Sequence, residues 1–235
     1  MNIPATHTEI EQIYLAAELA ACKSLCITSC QPGDGVTSIA TALTERYLLA
    51  GHKTLLVDLN VYNPSLEELQ LIEPDDPLSE SKAESLVSHC ETGLVFTGIT
   101  APSTQTKRIA YRDPNHLSKV IHRWSSDYDR VVVDTSPLLQ INGSNIPAQT
   151  VASSCDKTLL VVKGGATTNN QLQTALTLLQ SGRVSLIGSI LNLKDQPTLG
   201  QELIRQLKRI KFLPKSFKKK LEHQISACSF LSQSA

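Results

Sequence analysis

Ser24-Leu25-Cys26-Ile27-Thr28, and then Pro32-Gly33-Asp34-Gly35-Val36-Thr37-Ser38, decide how this chain is read. The first run is a short buried strand. The second is a phosphate-binding loop in every respect but one. Such a loop cradles phosphates in glycine-rich backbone amides, and its lysine bridges the β- and γ-phosphates while the next hydroxyl holds Mg²⁺. Here Val36 stands where the lysine belongs, and Thr37 keeps the hydroxyl. Valine supplies neither charge nor hydrogen bond. Taken alone, Pro-Gly-Asp-Gly is also good chemistry for an ordinary β-to-α turn.

The residues that follow favour the nucleotide site. Thr37 to Ala50 has helical periodicity through Ile39, Leu43, Tyr47 and Leu48, and Gly51 is a natural C-cap. A helix N-terminus behind a glycine loop offers free amides and a positive dipole end to an anion. Lys53-Thr54-Leu55-Leu56-Val57-Asp58 and Arg130-Val131-Val132-Val133-Asp134 are apolar strands, each closed by a carboxylate. Further strands are predicted over Leu94 to Gly98, Thr158 to Lys163 and Val184 to Leu191. Helices are predicted over Thr8 to Lys23, Pro114 to Ser125 and Asn169 to Gln180. The polar, Pro-punctuated stretch Asn63 to Ser81 reads as surface loop. Apolar strands alternating with helices mean a mostly parallel sheet covered on both faces: a three-layer, Rossmann-like α/β P-loop NTPase fold. Ligands of such sheets sit at the carboxyl ends of the strands, which would gather Gly33, Gly35, Thr37, Asp58 and Asp134.

With 235 residues and 41% hydrophobic content, the chain is long enough for one substantial core and an appendage. The expected division is 1–23 as N-terminal helix, 24–195 as P-loop core, and 196–235 as basic helix and disordered tail. The net charge is zero, which argues against a nucleic-acid protein. The charge is unevenly spread: Glu67 to Glu91 holds eight acids and one lysine, and Arg205 to Lys220 holds eight bases and no acid. That basic segment reads either as a solvated last helix on the core or as a membrane-surface or partner-binding element. Neither a signal peptide nor an apolar run of membrane-spanning length is recognised. The six cysteines read as cytosolic thiols, because no histidine or CxxC pair completes a zinc set around Cys22, Cys26 and Cys30.

Three ordered motifs then carry a resemblance. Ser29-Cys30-Gln31-Pro32-Gly33-Asp34-Gly35, Leu55-Leu56-Val57-Asp58-Leu59-Asn60-Val61-Tyr62-Asn63-Pro64-Ser65-Leu66 and Tyr128-Asp129-Arg130-Val131-Val132-Val133-Asp134-Thr135-Ser136-Pro137-Leu138-Leu139 resemble Walker A, Walker A′ and Walker B. The likeness is to the bacterial tyrosine kinases of capsule and exopolysaccharide synthesis, relatives of the partitioning and cell-division ATPases. It runs from about Ser24 to Asn192. The departures are specific. Val36 replaces the lysine, Asn60 the second Walker A′ aspartate, and Tyr62 the arginine that follows. Glu9 to Glu18 has none of the arginines that help the kinases form rings, and no tyrosine follows Tyr128 where they carry an acceptor cluster.

The resemblance implies a degenerate site. Gly33, Asp34, Gly35, Val36, Thr37, Ser38 and Asn192 would surround ATP, with Thr37, Asp58 and Asp134 at Mg²⁺ and Asp58, Asn60 and Asp134 in the catalytic positions. Asn60 cannot serve as a general base. Weak binding of ATP and Mg²⁺ is therefore expected. The implied role is a regulator or scaffold of polysaccharide assembly, cytoplasmic or peripheral at the inner membrane face, working with a membrane co-polymerase or adaptor. The alternative is an active ATPase or tyrosine kinase with a non-standard loop.

Overall fold

A computed structural model describes residues 3–69, 85–140, 142–194, 199–209, 219, 221, 222, 224 and 225. Most of the acidic stretch, Lys211 to Lys218 of the basic segment and the tail Ser226 to Ala235 lie outside them. The chain forms two compact units. The first comprises Met1–Val162 and Thr167–Ile190, the second Lys163–Ala166 and Leu191–Ala235.

Three strands, β1 (Ser24–Ser29), β2 (Thr54–Leu59) and β6 (Arg130–Thr135), are buried almost throughout, which is why their sequences read as unbroken apolar runs. Between them in the chain come α2 (Val36–Leu49), β3 (Leu66–Glu68), β4 (Ser85–His89), β5 (Val95–Ile99), α3 (Gln105–Ala110) and α4 (Pro114–Asp127). After β6 follow α5 (Ala148–Ser154), β7 (Lys157–Lys163), α6 (Asn169–Ser181), β8 (Leu186–Asn192) and α7 (Leu199–Arg209); α1 (Thr8–Leu19) precedes them all. The sheet runs β3-β4-β5-β2-β6-β1-β7-β8. β1 pairs in parallel with β6 and β7, and β2 with β5 and β6.

Alternation along the strands sorts side chains to two faces. Leu25, Ile27, Leu56 and Val132 meet α1 and α2 through Ile10, Ile13, Ala17, Ile39, Leu43 and Tyr47. Cys26, Leu55, Val57, Val131 and Val133 meet Leu117, Ile121 and Trp124 of α4, Val151 of α5, and Ala175 and Leu179 of α6. The result is the three-layer arrangement that the sequence predicts, and Trp124 is core packing. Bidentate pairs of Arg46 with Glu11 and of Arg130 with Glu18 tie α1 to its neighbours.

Two expectations are corrected. Asn63 to Ser81 contains β3, and β3, β4 and β5 run antiparallel at one edge of the sheet. β3 and β4 are short and only half buried, so no apolar run announces them, whereas β5 falls within one residue of the strand predicted over Leu94 to Gly98. The first helix stops at Leu19 rather than Lys23, because Ala21 turns at φ 49° to deliver Cys22 and β1 into the core.

Gly98 shows how tightly that edge packs. A Cβ there would meet Val87 Cγ2 at 2.5 Å and the Leu56 carbonyl at 2.8 Å. Gly98→Ala is expected to lower stability by roughly 1–3 kcal/mol through overpacking, read from urea unfolding. An unchanged midpoint would mean that β4 and β5 are free to part.

Within the second unit, Gly164 N donates to the Asn192 carbonyl at 2.9 Å. Helix α7 buries Leu207 and exposes Leu203, Arg205 and Arg209. Among the described residues no helix is long and apolar enough to cross a membrane.

Candidate functional site

The loop after β1 turns on two glycines in the left-handed region, Gly33 at φ 78° and Gly35 at φ 102°, where a side chain would be strained. Gly35 is the N-cap of α2. The loop is tied down from within: buried Asp34 accepts from Gln31 N at 3.0 Å, and Ser29 Oγ donates to the Gln31 carbonyl at 2.8 Å. Val36 opens the helix and is only 8% exposed, packed in the same cluster as Ile39, Ala40 and Leu43. Where phosphate chemistry asks for an ammonium, the chain has an isopropyl group facing its own core. Ser38 is half-buried in the first turn, and its carbonyl accepts from Thr41 Oγ1.

Thr37 reaches across the sheet edge, and its Oγ1 donates to Asp134 Oδ2 at 2.5 Å. Asp58 and Asp134 are register partners on β2 and β6, so two carboxylates lie side by side with almost no exposure. Their surroundings differ sharply. Asp58 Oδ1 accepts from Asn60 N at 2.8 Å, and its Oδ2 accepts from Ser65 N at 2.8 Å and Ser65 Oγ at 3.2 Å. Asp134 Oδ1 is buried without a hydrogen-bond partner among the described residues. Burial raises the pKa of Asp58, opposed by the donors from Ser65 and Asn60. Asp134 is held well above the usual carboxylate range by burial and by the charge of Asp58, with only the Thr37 hydroxyl opposing. Of the pair, Asp134 therefore holds its proton to the higher pH, and a cation beside it would favour its release.

Asn60, almost buried, has its own task. Its Oδ1 accepts from Asn63 N at 3.2 Å and from Ser136 Oγ at 3.3 Å, binding the Walker A′ loop to the end of β6. Ser65 and Ser136 thus belong to the site, although the sequence gives no reason to single them out. A hydroxyl seven residues past Asp58 signals nothing until the loop folds back. Asn192 closes β8 and lies in the second unit, where its Oδ1 accepts from Lys194 N at 3.0 Å. Tyr62 is 50% exposed in the loop between Asn60 and Ser65. Burial pushes Cys22 up to about 12 and Cys30 to about 11, which keeps both as thiols.

The donor set suits a hard dication. A hydroxyl, a carboxylate with an unsatisfied oxygen and a local excess of negative charge are what Mg²⁺ takes when a nucleotide supplies its remaining oxygens. Thr37 and Asp134 would hold the ion, whereas both oxygens of Asp58 are already engaged by its own loop. When bound, Mg²⁺ neutralises charge on the β- and γ-phosphates.

No protein-family model matches the chain. In sequence it is similar to the tyrosine-protein kinase YwqD of Bacillus subtilis, 26% identical over 177 residues that make up 72% of each chain. It is also similar to the tyrosine-protein kinase CpsD of Streptococcus pneumoniae, 25% identical over 182 residues, 74% of this chain and 77% of that one. In structure it is similar to the kinase domain of Escherichia coli tyrosine kinase ETK, with TM-score 0.59, 19% identity and coverage of 84% and 83%. Cobyrinic acid a,c-diamide synthase from Mycobacterium smegmatis, solved with bound ADP and magnesium, gives TM-score 0.52, 16% identity and coverage of 82% and 83%. The chain is a homologue of bacterial tyrosine kinases and has their Rossmann-like P-loop fold.

Proposed function

We propose that this protein is a regulator or scaffold of capsule or exopolysaccharide assembly, built on a tyrosine-kinase fold whose use of ATP is impaired. One observation carries the reading: Val36 occupies the lysine position and packs into the hydrophobic core. Charge-assisted hydrogen bonds contribute about 1.5–3 kcal/mol each. Their loss weakens ATP binding by roughly ten- to a hundred-fold, since about 1.4 kcal/mol is a factor of ten. The effect on transfer is larger, because charge develops on the phosphoryl group in the transition state. The neutral Asn60, engaged with Ser136 and Asn63, offers no base to an attacking hydroxyl.

What survives is selective. The glycine loop, Thr37 and the unsatisfied Asp134 still suit a Mg-nucleotide, so the site is read as a weak sensor. Its partner would be a membrane polysaccharide co-polymerase or adaptor, met at the inner face of the membrane. The exposed Arg205 and Arg209 of α7 lie in the segment 205–220, which would contact that partner or anionic lipid.

Calorimetric titration with Mg-ATP, run beside the tyrosine-protein kinase YwqD, tests the reading. The expected result is binding roughly ten- to a hundred-fold weaker, with hydrolysis near background. Turnover at the relative's rate would replace this reading with an active kinase or ATPase.

A further inference from the structure

The chain has five tyrosines, at positions 14, 47, 62, 111 and 128, and four of them are buried or half-buried against neighbouring side chains. Tyr47 is 1% exposed, edge-on to the Tyr14 ring at 5.3 Å, and burial raises its pKa. Tyr14 is half-buried beneath the Arg46 guanidinium, 3.9 Å from the ring centroid. Tyr111 is half-buried and stacks on His116, with its pKa raised by burial. Tyr128 is buried under the Lys53 ammonium, 4.5 Å from the ring centroid.

Tyr62 is the exception. It is half exposed and followed by the exposed Asn63 and Pro64. Both ends of its loop are pinned, Asn60 N and Ser65 N donating to Asp58 and Asn63 N donating to Asn60. The loop therefore presents Tyr62 outward on a fixed base, with little ordering left for a partner to impose.

We propose that Tyr62 is a phosphoacceptor, modified by a tyrosine kinase of the type this chain resembles. The inference rests on the reading that the protein works within such a kinase system. In the reaction the phenolic oxygen of Tyr62 bonds to the γ-phosphorus of ATP held by the partner kinase. The bond from that phosphorus to the β,γ-bridging oxygen breaks, and ADP leaves with its electron pair. The phenol proton passes to the kinase's base and on to solvent. The product sets a charge of about −2 on a loop tied to Asp58.

The test incubates the full-length chain with Mg-ATP and active YwqD, then maps phosphotyrosine by mass spectrometry. Phosphate is expected on Tyr62, falling to background in Tyr62→Phe and persisting in Tyr14→Phe. Circular dichroism would confirm that both variants are folded. Phosphate on another tyrosine, or none in a tube where the kinase has labelled itself, overturns the proposal. The added kinase brings its own ATP site, so the result does not depend on this chain's nucleotide binding. Labelling of Tyr62 without added kinase would keep the acceptor while refuting impaired ATP use.

Discussion

Asp134→Asn is expected to abolish the Mg²⁺ dependence of nucleotide binding while making the ion-free protein harder to unfold at neutral pH. In the fold, Asp134 holds its proton well above the usual carboxylate range, because burial and the neighbouring Asp58 charge both oppose ionisation. In the unfolded chain the same group ionises near pH 4. The unfolded state thus releases its proton first as pH rises. The stability associated with Asp134 is complete below that pH and is lost as pH climbs through the folded value. Asparagine cannot ionise, so the decline should vanish between about pH 5 and 8. Mg²⁺ should stabilise the natural protein, more strongly with nucleotide present, and should leave the variant unmoved. Asp58→Asn makes the contrast. An amide has one oxygen to offer Asn60 N, Ser65 N and Ser65 Oγ, which now share two. Leaving such a donor unmade costs roughly 1–3 kcal/mol, so this variant should melt lower at every pH. Thermal melts of both variants across that range, with and without Mg²⁺, decide the matter. Identical behaviour would dissolve the distinction between a cation-facing and a loop-holding carboxylate.

That distinction marks where sequence ceases to inform. The strands carrying the two carboxylates were legible because both faces of β2 and β6 are covered, so neither needs a polar residue before its closing aspartate. Each aspartate sits fifth in its strand, and parallel pairing sets them opposite one another. The glycine loop was legible for a similar reason: Gly33 and Gly35 must turn through conformations that other residues resist. At the edge, β3 and β4 were hidden, since three- and five-residue strands with one wet face leave little pattern, whereas the run Leu94 to Gly98 announced β5. The tasks of Asp58 and Asn60 were hidden too. Their partners Ser65 and Ser136 lie 7 and 76 residues away, and are ordinary serines until the chain folds. Motif reading gave Asp58 and Asn60 catalytic positions, and their hydrogen bonds show that they also shape a loop.

Val36→Lys is expected to tighten Mg-ATP binding by roughly ten- to a hundred-fold and to leave turnover low. The new side chain starts from the first residue of α2, next to the N-cap Gly35, at a helix end whose free amides suit an anion. Its four methylenes can cover the apolar ground that Val36 now fills, while the ammonium reaches the phosphates. The lysine recovers ground-state contacts with the phosphates and so lowers KM, whereas its further help in the transition state goes unused while position 60 offers no base. Rate needs a carboxylate at position 60. The amide there holds Asn63 N and Ser136 Oγ, and an aspartate can accept both of those bonds while adding a base. By itself, however, Asn60→Asp places a third carboxylate beside Asp58 and Asp134, neither of which is paired with a cation among the described residues, and should destabilise the ion-free protein. In the double variant the lysine supplies that cation. The two substitutions should therefore be strongly non-additive in both stability and kcat, which a double-mutant cycle measures directly. Additive effects would mean that positions 36 and 60 do not share one electrostatic site. Brisk turnover in Val36→Lys alone would mean that the lysine is the one thing the site lacks.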